Sequence, residues 1–289
     1  MKKIFAVIAL FFAFVSTSAV AKNDYSCDKK FIFFPGGPEG GPFGTIVYNG
    51  AVAAAEHTGC DVDYYWSQWN SEIMIKQFKE AVALQPDGIA IYGFPGDAAM
   101  RPIIQEAREM GIVITTMNTP LPDLESEFKT EGFGYAGADL FDAGFNLGKK
   151  AVDVCGLKAG DKAFIWGLAS MPNRGERTKG AIAGVEAAGV EVVYQEIPDN
   201  VNSDASQGTP MYVATYSANP DIKMAITDHG GLTASLPTYM KAAGHGTEEV
   251  CGAGFDLSAP IVDGINSGYI DVVIDQQPFI QGYMPIIQL

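Results

Sequence analysis

The chain has 289 residues, of which 47% are hydrophobic and 18% are charged, and its 34 acidic residues outnumber its 19 lysines and arginines to give a net charge of −15. A chain so rich in core-forming residues is not disordered. An acidic chain without a dense basic segment is a poor match for the phosphates of nucleic acid, so we expect no nucleic-acid partner. The length suits one large domain or two of ordinary size.

Residues 1–21 have the composition of a secretory signal peptide. Lysines occupy positions 2 and 3, an apolar run covers residues 4–15, and Ala-Val-Ala stands at 19–21. The apolar run is shorter than the roughly 20 apolar residues that a membrane span needs. We therefore expect a cleaved signal peptide and an exported, periplasmic protein, with a membrane anchor as the less favoured alternative.

Export would place the four cysteines, Cys27, Cys60, Cys155 and Cys251, in an oxidising compartment. None belongs to a Cys-x-x-Cys pair, which argues against a zinc site or a thioredoxin-like redox site. Cys27 and Cys60 each lie just before a predicted strand, so a bond between them requires that those strands be neighbours, and the sequence leaves this open. A bond between Cys155 and Cys251 is less favoured, because their strands are not expected to be adjacent.

Short apolar runs alternate with helical patterns along the rest of the chain, which is typical of a parallel sheet with crossover helices. In the first half, the pattern predicts strands at 30–34, 61–66, 88–92, 113–117 and 133–136, with helices at 43–58, 70–84 and 98–110. In the second half, it predicts strands at 162–166, 190–196, 224–227, 252–255 and 271–274, with helices at 140–154, 178–188, 210–218, 232–243 and 259–267. The sequence thus predicts an α/β protein with two doubly wound parallel-sheet lobes.

The residues that follow the predicted strands are the expected functional residues, because ligands of open parallel sheets bind at the carboxyl ends of the strands. These residues are polar, amide-rich and aromatic, and they do not combine a nucleophile with a base. The sequence has no Gly-x-Ser-x-Gly and no His-x-x-x-His, and its glycines at 132, 134 and 137 fall within a predicted strand, where a dinucleotide fingerprint does not form. No cofactor and no metal ion are expected.

Four phrases, in order along the chain, resemble the periplasmic sugar-binding proteins of ABC transporters, of the ribose-binding type: Pro42-Phe43, Pro86-Asp87-Gly88-Ile89, Gly254-Phe255-Asp256 and Asp275-Gln276-Gln277-Pro278. The resemblance extends over residues 28–289 and implies two lobes, joined by a hinge of three crossing segments, that close on a monosaccharide. It implies an N-terminal lobe over 28–137, a C-terminal lobe over 138–275, and a segment over 276–289 that returns to the N-terminal lobe. Such proteins continue further, so we expect that this segment is truncated or that the N-terminal lobe lacks its last elements.

The resemblance also implies six ligand-binding residues: Phe43, Asn118, Arg174, Asp228, Asp256 and Gln276. Phe43 would stack on the sugar ring, since sugars present apolar C–H faces that suit an aromatic side chain. Asp256 would accept charge-assisted hydrogen bonds from two hydroxyl groups. The local alternatives are a core position for Phe43, an N-cap role for Asp256 at the helix predicted over 259–267, and capping roles for the other polar residues.

Two parts of the expected site depart from the family pattern: the ligand arginine and the residues beside Phe43. The family's ligand arginine aligns with Gly175, so Arg174 reaches its place only if the loop shifts by one residue, whereas Arg177 aligns with the arginine that opens the next helix. Beside Phe43, glycines replace a polar and a second aromatic residue of the family. The space they leave is open to three aromatic candidates: Trp66, Trp69 and Phe94.

The sequence predicts an exported receptor that captures a monosaccharide or polyol and delivers it to an ABC importer. A ligand that contacts both lobes would favour the closed arrangement, because only that arrangement makes both sets of contacts. The expected partners are the sugar and, transiently, a membrane permease, and we expect a monomer. One alternative is the ligand-binding protein of a sensor or chemoreceptor. A secreted α/β enzyme is a weaker alternative, because the sequence offers no catalytic set.

Overall fold

The computed structural model describes residues 27–289, and the expected signal peptide at residues 1–21 lies outside the described residues. The described chain forms two parallel sheets of five strands each, with helices on their faces. No helix within residues 27–289 is long and apolar enough to cross a membrane. The prediction of an α/β protein with two doubly wound lobes is confirmed.

The first lobe contains five strands: β1 (Lys30–Gly36), β2 (Asp61–Trp66), β3 (Gly88–Tyr92), β4 (Val113–Met117) and β5 (Gly134–Ala136). Four helices connect them: α1 (Pro42–Thr58), α2 (Ser71–Ala83), α3 (Asp97–Glu109) and α4 (Pro122–Phe128). The strand order is β2-β1-β3-β4-β5. The order reverses between β1 and β3, so the loops after these strands diverge and leave a crevice at the carboxyl edge of the sheet.

The second lobe contains β6 (Lys162–Gly167), β7 (Glu191–Glu196), β8 (Ile222–Thr227), β9 (Cys251–Phe255) and β10 (Val272–Ile274), in the order β10-β9-β8-β6-β7. Its helices are α5 (Leu140–Cys155), α6 (Glu176–Glu186), α7 (Asp199–Ser203), α8 (Thr209–Ala218), α9 (Gly230–Ala242) and α10 (Ala259–Asn266). A last helix, α11 (Pro278–Gln288), packs against α1 of the first lobe. Within the described residues, the chain therefore passes between the lobes twice, before α5 and before α11.

Every predicted strand and helix is present, with shifted ends in several cases. The short helices α4 and α7 were not predicted, and neither were the 3-10 turns at Lys129–Glu131 and Ala205–Gly208. These segments are too short to show a helical repeat of apolar residues, which is the signal that revealed the longer helices.

Both faces of each sheet are covered, which explains the continuous apolar runs in the sequence. All five residues of β3 are buried, as expected for a central strand of a parallel sheet. In the second lobe, one core cluster contains Trp166 and Tyr212, and a second, separate cluster contains Ile165 and Phe255. The close packing on both faces fixes the carboxyl ends of the strands, from which the site is built.

Two disulfide bonds join Cys27 to Cys60 and Cys155 to Cys251. The Cys27–Cys60 bond is possible because β1 and β2 are neighbours, a point that the sequence left open. The expectation that Cys155 and Cys251 are an unfavourable pair was wrong. It assumed that both cysteines belong to strands, but Cys155 is the last residue of α5. This helix packs across β9 and β10, so its end lies beside Cys251 at the start of β9.

Candidate functional site

A cavity of about 340 Å³ lies between the lobes, where the carboxyl ends of strands from the two sheets face each other. Its volume falls within the range of roughly 300–1,000 Å³ that is typical of small-molecule sites. Five of the six predicted ligand-binding residues line it: Phe43, Asn118, Arg174, Asp256 and Gln276. The sixth, Asp228, is not among the lining residues and lies behind the wall of the second lobe.

Three aromatic rings form the wall that the first lobe contributes. Phe43 stands in the first turn of α1, and its ring centroid lies 6.0 Å from that of Trp69, which in turn lies 6.3 Å from that of Phe94. Trp69 and Phe94 therefore occupy the space considered open in the sequence. Trp66 does not line the cavity, because it packs behind Gly44, where a Cβ atom would lie 3.1 Å from its ring.

The residues that directly follow β4 and β9 adopt left-handed backbone conformations. Asn118 has a φ of 57° and Asp256 a φ of 77°. Asn and Asp tolerate this region better than other residues with a Cβ, which explains why short polar side chains occupy these turns. Strained backbone of this kind is common at binding sites. Here it turns the chain sharply at the strand end and brings both side chains to the cavity.

Asp256 is buried, and both of its carboxylate oxygens already accept a hydrogen bond. Oδ1 accepts from Gln276 Nε2 at 2.6 Å, and Oδ2 accepts from the backbone N–H of Gly230, the first residue of α9, at 2.9 Å. Asp256 thus caps α9, whereas α10, the helix considered in the sequence, has Ser258 at its N-cap. Burial raises the pKa of Asp256, and this effect outweighs the opposing effects of Gln276 and Arg177. The carboxylate keeps lone pairs that can accept from ligand hydroxyls.

Two arginines are held in place by Asp228. Arg174 Nη1 lies 2.9 Å from Asp228 Oδ2, and both side chains are almost fully buried. The backbone oxygen of Asp228 accepts from Arg174 Nη2 at 3.1 Å and from Arg177 Nη1 at 3.2 Å. Burial raises the pKa of the Asp228 carboxyl, and the two arginines oppose that rise. Asp228 therefore acts on the cavity through the arginines that it orients.

Arg177 lines the cavity beside Arg174, although the resemblance implied no ligand-binding role for Arg177. Its guanidinium carbon lies 4.5 Å from the ring centroid of Phe255, and only 2% of the residue is exposed. Burial and the charge of Arg174 lower the pKa of Arg177 to about 10, so it remains protonated at neutral pH. Gly175 carries no side chain here because a Cβ atom would lie 2.5 Å from a backbone oxygen. Arg174, the residue before it, lines the cavity.

Gln276 connects the two lobes through its side-chain amide. Its Oε1 accepts from Asn118 Nδ2 of the first lobe at 2.9 Å and from Arg177 Nη2 of the second lobe at 2.7 Å, while its Nε2 binds Asp256. Gln281 on α11 supports this arrangement, because its Oε1 accepts from Asn118 Nδ2 at 3.0 Å and its Nε2 donates to the Gln276 backbone oxygen at 2.6 Å. Gln281 lies inside a helix rather than at a strand end, so its position in the sequence gives no signal of this role.

The second lobe adds further polar groups around the cavity: Asn202, Ser203, Asp204, Ser206, His229 and Ser235. Burial and the two arginines lower the pKa of His229 to about 3, so its ring is neutral at physiological pH. Within residues 27–289, no group of three His, Cys, Asp or Glu side chains is arranged to hold a metal ion. The second lobe therefore presents hydrogen-bond donors and acceptors to the cavity, and the first lobe presents aromatic rings.

Comparison with known proteins agrees with this architecture. Residues 32–289 match the family described as periplasmic binding protein domain. A curated relative, the xylose/arabinose-binding protein XylF of Sulfolobus acidocaldarius, is 22% identical over 79% of this chain. The chain spans 58% of the length of that relative.

Solved structures share the fold at low sequence identity. A solute-binding protein of an ABC transporter from Burkholderia graminis, in complex with D-arabinose, has a TM-score of 0.78 and 20% identity, and the match covers 91% of this chain and 88% of that one. The XylFII–LytSN complex contains a chain with a TM-score of 0.80 and 19% identity, with 90% and 92% of the two chains covered. From the match over residues 32–289, the chain belongs to the periplasmic binding protein domain family, whose members are substrate-binding proteins.

Proposed function

We propose that the protein binds a monosaccharide or related polyol in the cavity between its lobes and delivers it to an ABC importer. One observation carries this proposal: an aromatic wall from the first lobe faces charged hydrogen-bonding groups from the second. A sugar ring has apolar C–H faces that suit Phe43 and Trp69, and hydroxyl groups that suit Asp256 and the arginines. The names of the relatives support it, since the XylF relative is called a xylose/arabinose-binding protein.

Binding would stabilise the closed arrangement of the lobes. A ligand held by Phe43 on one side and Asp256 on the other gains both sets of contacts only when the lobes are together, so it shifts the population toward the closed form. About five satisfied hydroxyls and one stacked ring would give roughly −8 kcal/mol, which corresponds to a micromolar dissociation constant. We propose that this closed form is what a membrane permease recognises.

Binding without catalysis and a periplasmic location are also part of the proposal. The family consists of substrate-binding proteins, which supports a role without turnover. The signal-peptide pattern at residues 1–21 supports export. A second candidate, a sugar receptor for a sensor protein, is favoured by the XylFII–LytSN complex, in which a chain of this fold is joined to another protein.

A thermal-shift screen of monosaccharides and polyols on the mature chain tests the proposal. A true ligand binds the folded form and therefore raises the unfolding temperature. Asp256→Ala should abolish the shift, whereas Asp263→Ala, which removes an exposed carboxylate of α10, should leave it unchanged. The ligand class is wrong if no sugar or polyol changes the unfolding temperature while a nucleoside or an amino acid raises it.

A further inference from the structure

The two walls of the cavity differ sharply in their capacity to bind hydroxyl groups. The first lobe contributes glycines, prolines and aromatic rings, and in addition the polar residues Asn118 and Thr119. Both N–H groups of the Asn118 amide are directed at protein oxygens, those of Gln276 and Gln281. Thr119 is fully buried, and its hydroxyl faces the Asn118 oxygen at 3.5 Å. The polar groups of this wall are therefore largely used within the protein.

The small residues at the start of α1 extend the apolar wall. Gly41 and Gly44 flank the Pro42-Phe43 turn and contribute no side-chain donor or acceptor. Trp69 adds an indole N–H, but its Nε1 edge lies against the loop, since a Cβ atom on Gly37 would be 2.5 Å away from it. The side-chain surface that the first lobe offers to a ligand is therefore mainly aromatic carbon.

The wall that the second lobe contributes is rich in polar groups. In addition to Asp256 and the two arginines, the second lobe lines the cavity with five polar residues besides His229: Asn202, Ser203, Asp204, Ser206 and Ser235. Each carboxylate oxygen of Asp256 accepts one hydrogen bond and has a further lone pair available. The second lobe can therefore bind several hydroxyls, whereas the first lobe can bind few.

Accepting the proposed function, we infer that the ligand is an amphipathic monosaccharide, in which the edge facing the first lobe lacks a hydroxyl group or carries it as a small alkyl ether. A deoxysugar and a methyl glycoside are both members of this class. A fully hydroxylated sugar would bury a hydroxyl against Phe43, Trp69 and Phe94 without a partner, and so lose affinity. The cavity volume of about 340 Å³ lies at the small end of the usual range, which suits a single ring with one small apolar group.

Isothermal titration calorimetry on the mature chain, with matched pairs of sugars, tests this inference. The probes are D-fucose against D-galactose, L-rhamnose against L-mannose, 6-deoxy-D-glucose against D-glucose, and each parent sugar against its methyl glycosides. One extra or missing group in an apolar pocket changes affinity by roughly 10- to 200-fold. We expect at least one deoxy or methylated probe to bind about 10-fold or more tightly than its parent.

The outcomes separate this inference from the proposed function. If the parent sugars bind as tightly as their deoxy and methylated partners, or more tightly, the inference is overturned and sugar binding stands. If neither member of any pair binds, this inference is overturned, and the thermal-shift screen of sugars and polyols decides the proposed function separately.

A variant provides a second measurement on the same wall. Gly41→Ser places a hydroxyl group on the apolar wall. It should reduce the difference in affinity between a parent sugar and its deoxy or methylated partner. Gly246→Ser, on an exposed loop, is the matched control and should leave the difference unchanged. An unaltered difference in a folded Gly41→Ser protein would contradict the assignment of the apolar edge to this wall. The measurements on the unmodified chain decide the inference if that variant does not fold.

Discussion

Asn173 of the second lobe donates its side-chain amide to Asp97 Oδ2 of the first lobe at 2.9 Å, and to the backbone oxygen of Pro120 at 3.1 Å. Asp97 is itself fixed, because its Oδ1 accepts from the backbone N–H of Leu124 at 3.0 Å. Asn173 does not line the cavity. The Asn173–Asp97 pair therefore joins the lobes at a point separate from the cavity, and we expect an opening of the lobes to break it.

We expect Asn173→Gly to speed ligand release without changing ligand capture. Asn173 has a φ of 55°, which glycine adopts freely, so the backbone of the loop should be kept. Loss of the two hydrogen bonds should cost roughly 1–2 kcal/mol, or about 5- to 30-fold in the dissociation rate constant. Stopped-flow measurements of association and dissociation check this, with Asn49→Ala on the exposed face of α1 as the control. A variant that slows association instead would show that the pair does not act on the closed form.

Ligand affinity should fall as the pH is lowered toward the raised pKa of Asp256. Binding requires the carboxylate as an acceptor, and burial sets its pKa above the usual value of 3.8, so protonation begins at a higher pH than for an exposed Asp. Titrations of the dissociation constant from pH 8 to pH 4 check this. Asp256→Asn should bind weakly with a flat profile over the same range, and a falling profile in that variant would assign the effect to another group.

The stability of the ligand-free protein should show the opposite trend over the same window. For Asp228 and Asp256, the folded-state pKa is raised, so between 3.8 and the raised values the folded protein binds more protons than the unfolded chain. Their contribution to the free energy of unfolding therefore increases as the pH falls through this window. Urea unfolding of the unmodified chain and of Asp256→Asn at pH 7 and pH 5 checks this. From pH 7 to pH 5, the free energy of unfolding should change more favourably in the unmodified chain than in Asp256→Asn, which lacks this titrating group; an equal change in both would contradict the prediction for Asp256.

The sequence predicted the lobes well, because buried parallel strands such as β3 leave continuous apolar runs that turn residues interrupt. It also predicted that Phe43 and Asp256 lie in one site, because strand ends and helix starts of open sheets converge, and both residues line the cavity. Arg177 and Gln281 were not predicted as site residues. Their role depends on how α6 and α11 pack, which the sequence pattern of a single helix does not show. The Cys155–Cys251 bond was misjudged for the same reason, since it joins a helix to a strand.

Arg177→Lys should weaken ligand binding and lower the unfolding temperature. Arg177 donates through separate nitrogens to the Asp228 backbone oxygen and to Gln276, while its plane covers Phe255. A lysine ammonium cannot make this forked and stacked arrangement, so we expect at least about a 10-fold loss of affinity. Calorimetry and thermal unfolding check both effects.

Arg108→Lys is the matched control for that substitution. Arg108 also lies over an aromatic ring, that of Phe128 at 4.1 Å, but it stands outside the cavity and pairs with Glu131. It should leave affinity unchanged. If both variants bind the ligand like the unmodified protein, Arg177 has only a structural role.

Removing the Cys155–Cys251 bond should destabilise the protein more than removing the Cys27–Cys60 bond. The two bonds close loops with sequence separations of 96 and 33 residues, and in the chain-entropy model loops of these lengths correspond to roughly 5 and 4 kcal/mol. Their places in the fold differ as well: Cys155–Cys251 ties α5 to the sheet of the second lobe, whereas Cys27 only fastens the segment before β1. Urea unfolding of the two double alanine variants, each oxidised, gives the comparison. A larger loss for the Cys27/Cys60 variant would show that the cost is set by strand β1 and its register with β2, and not by the length of the loop that is closed.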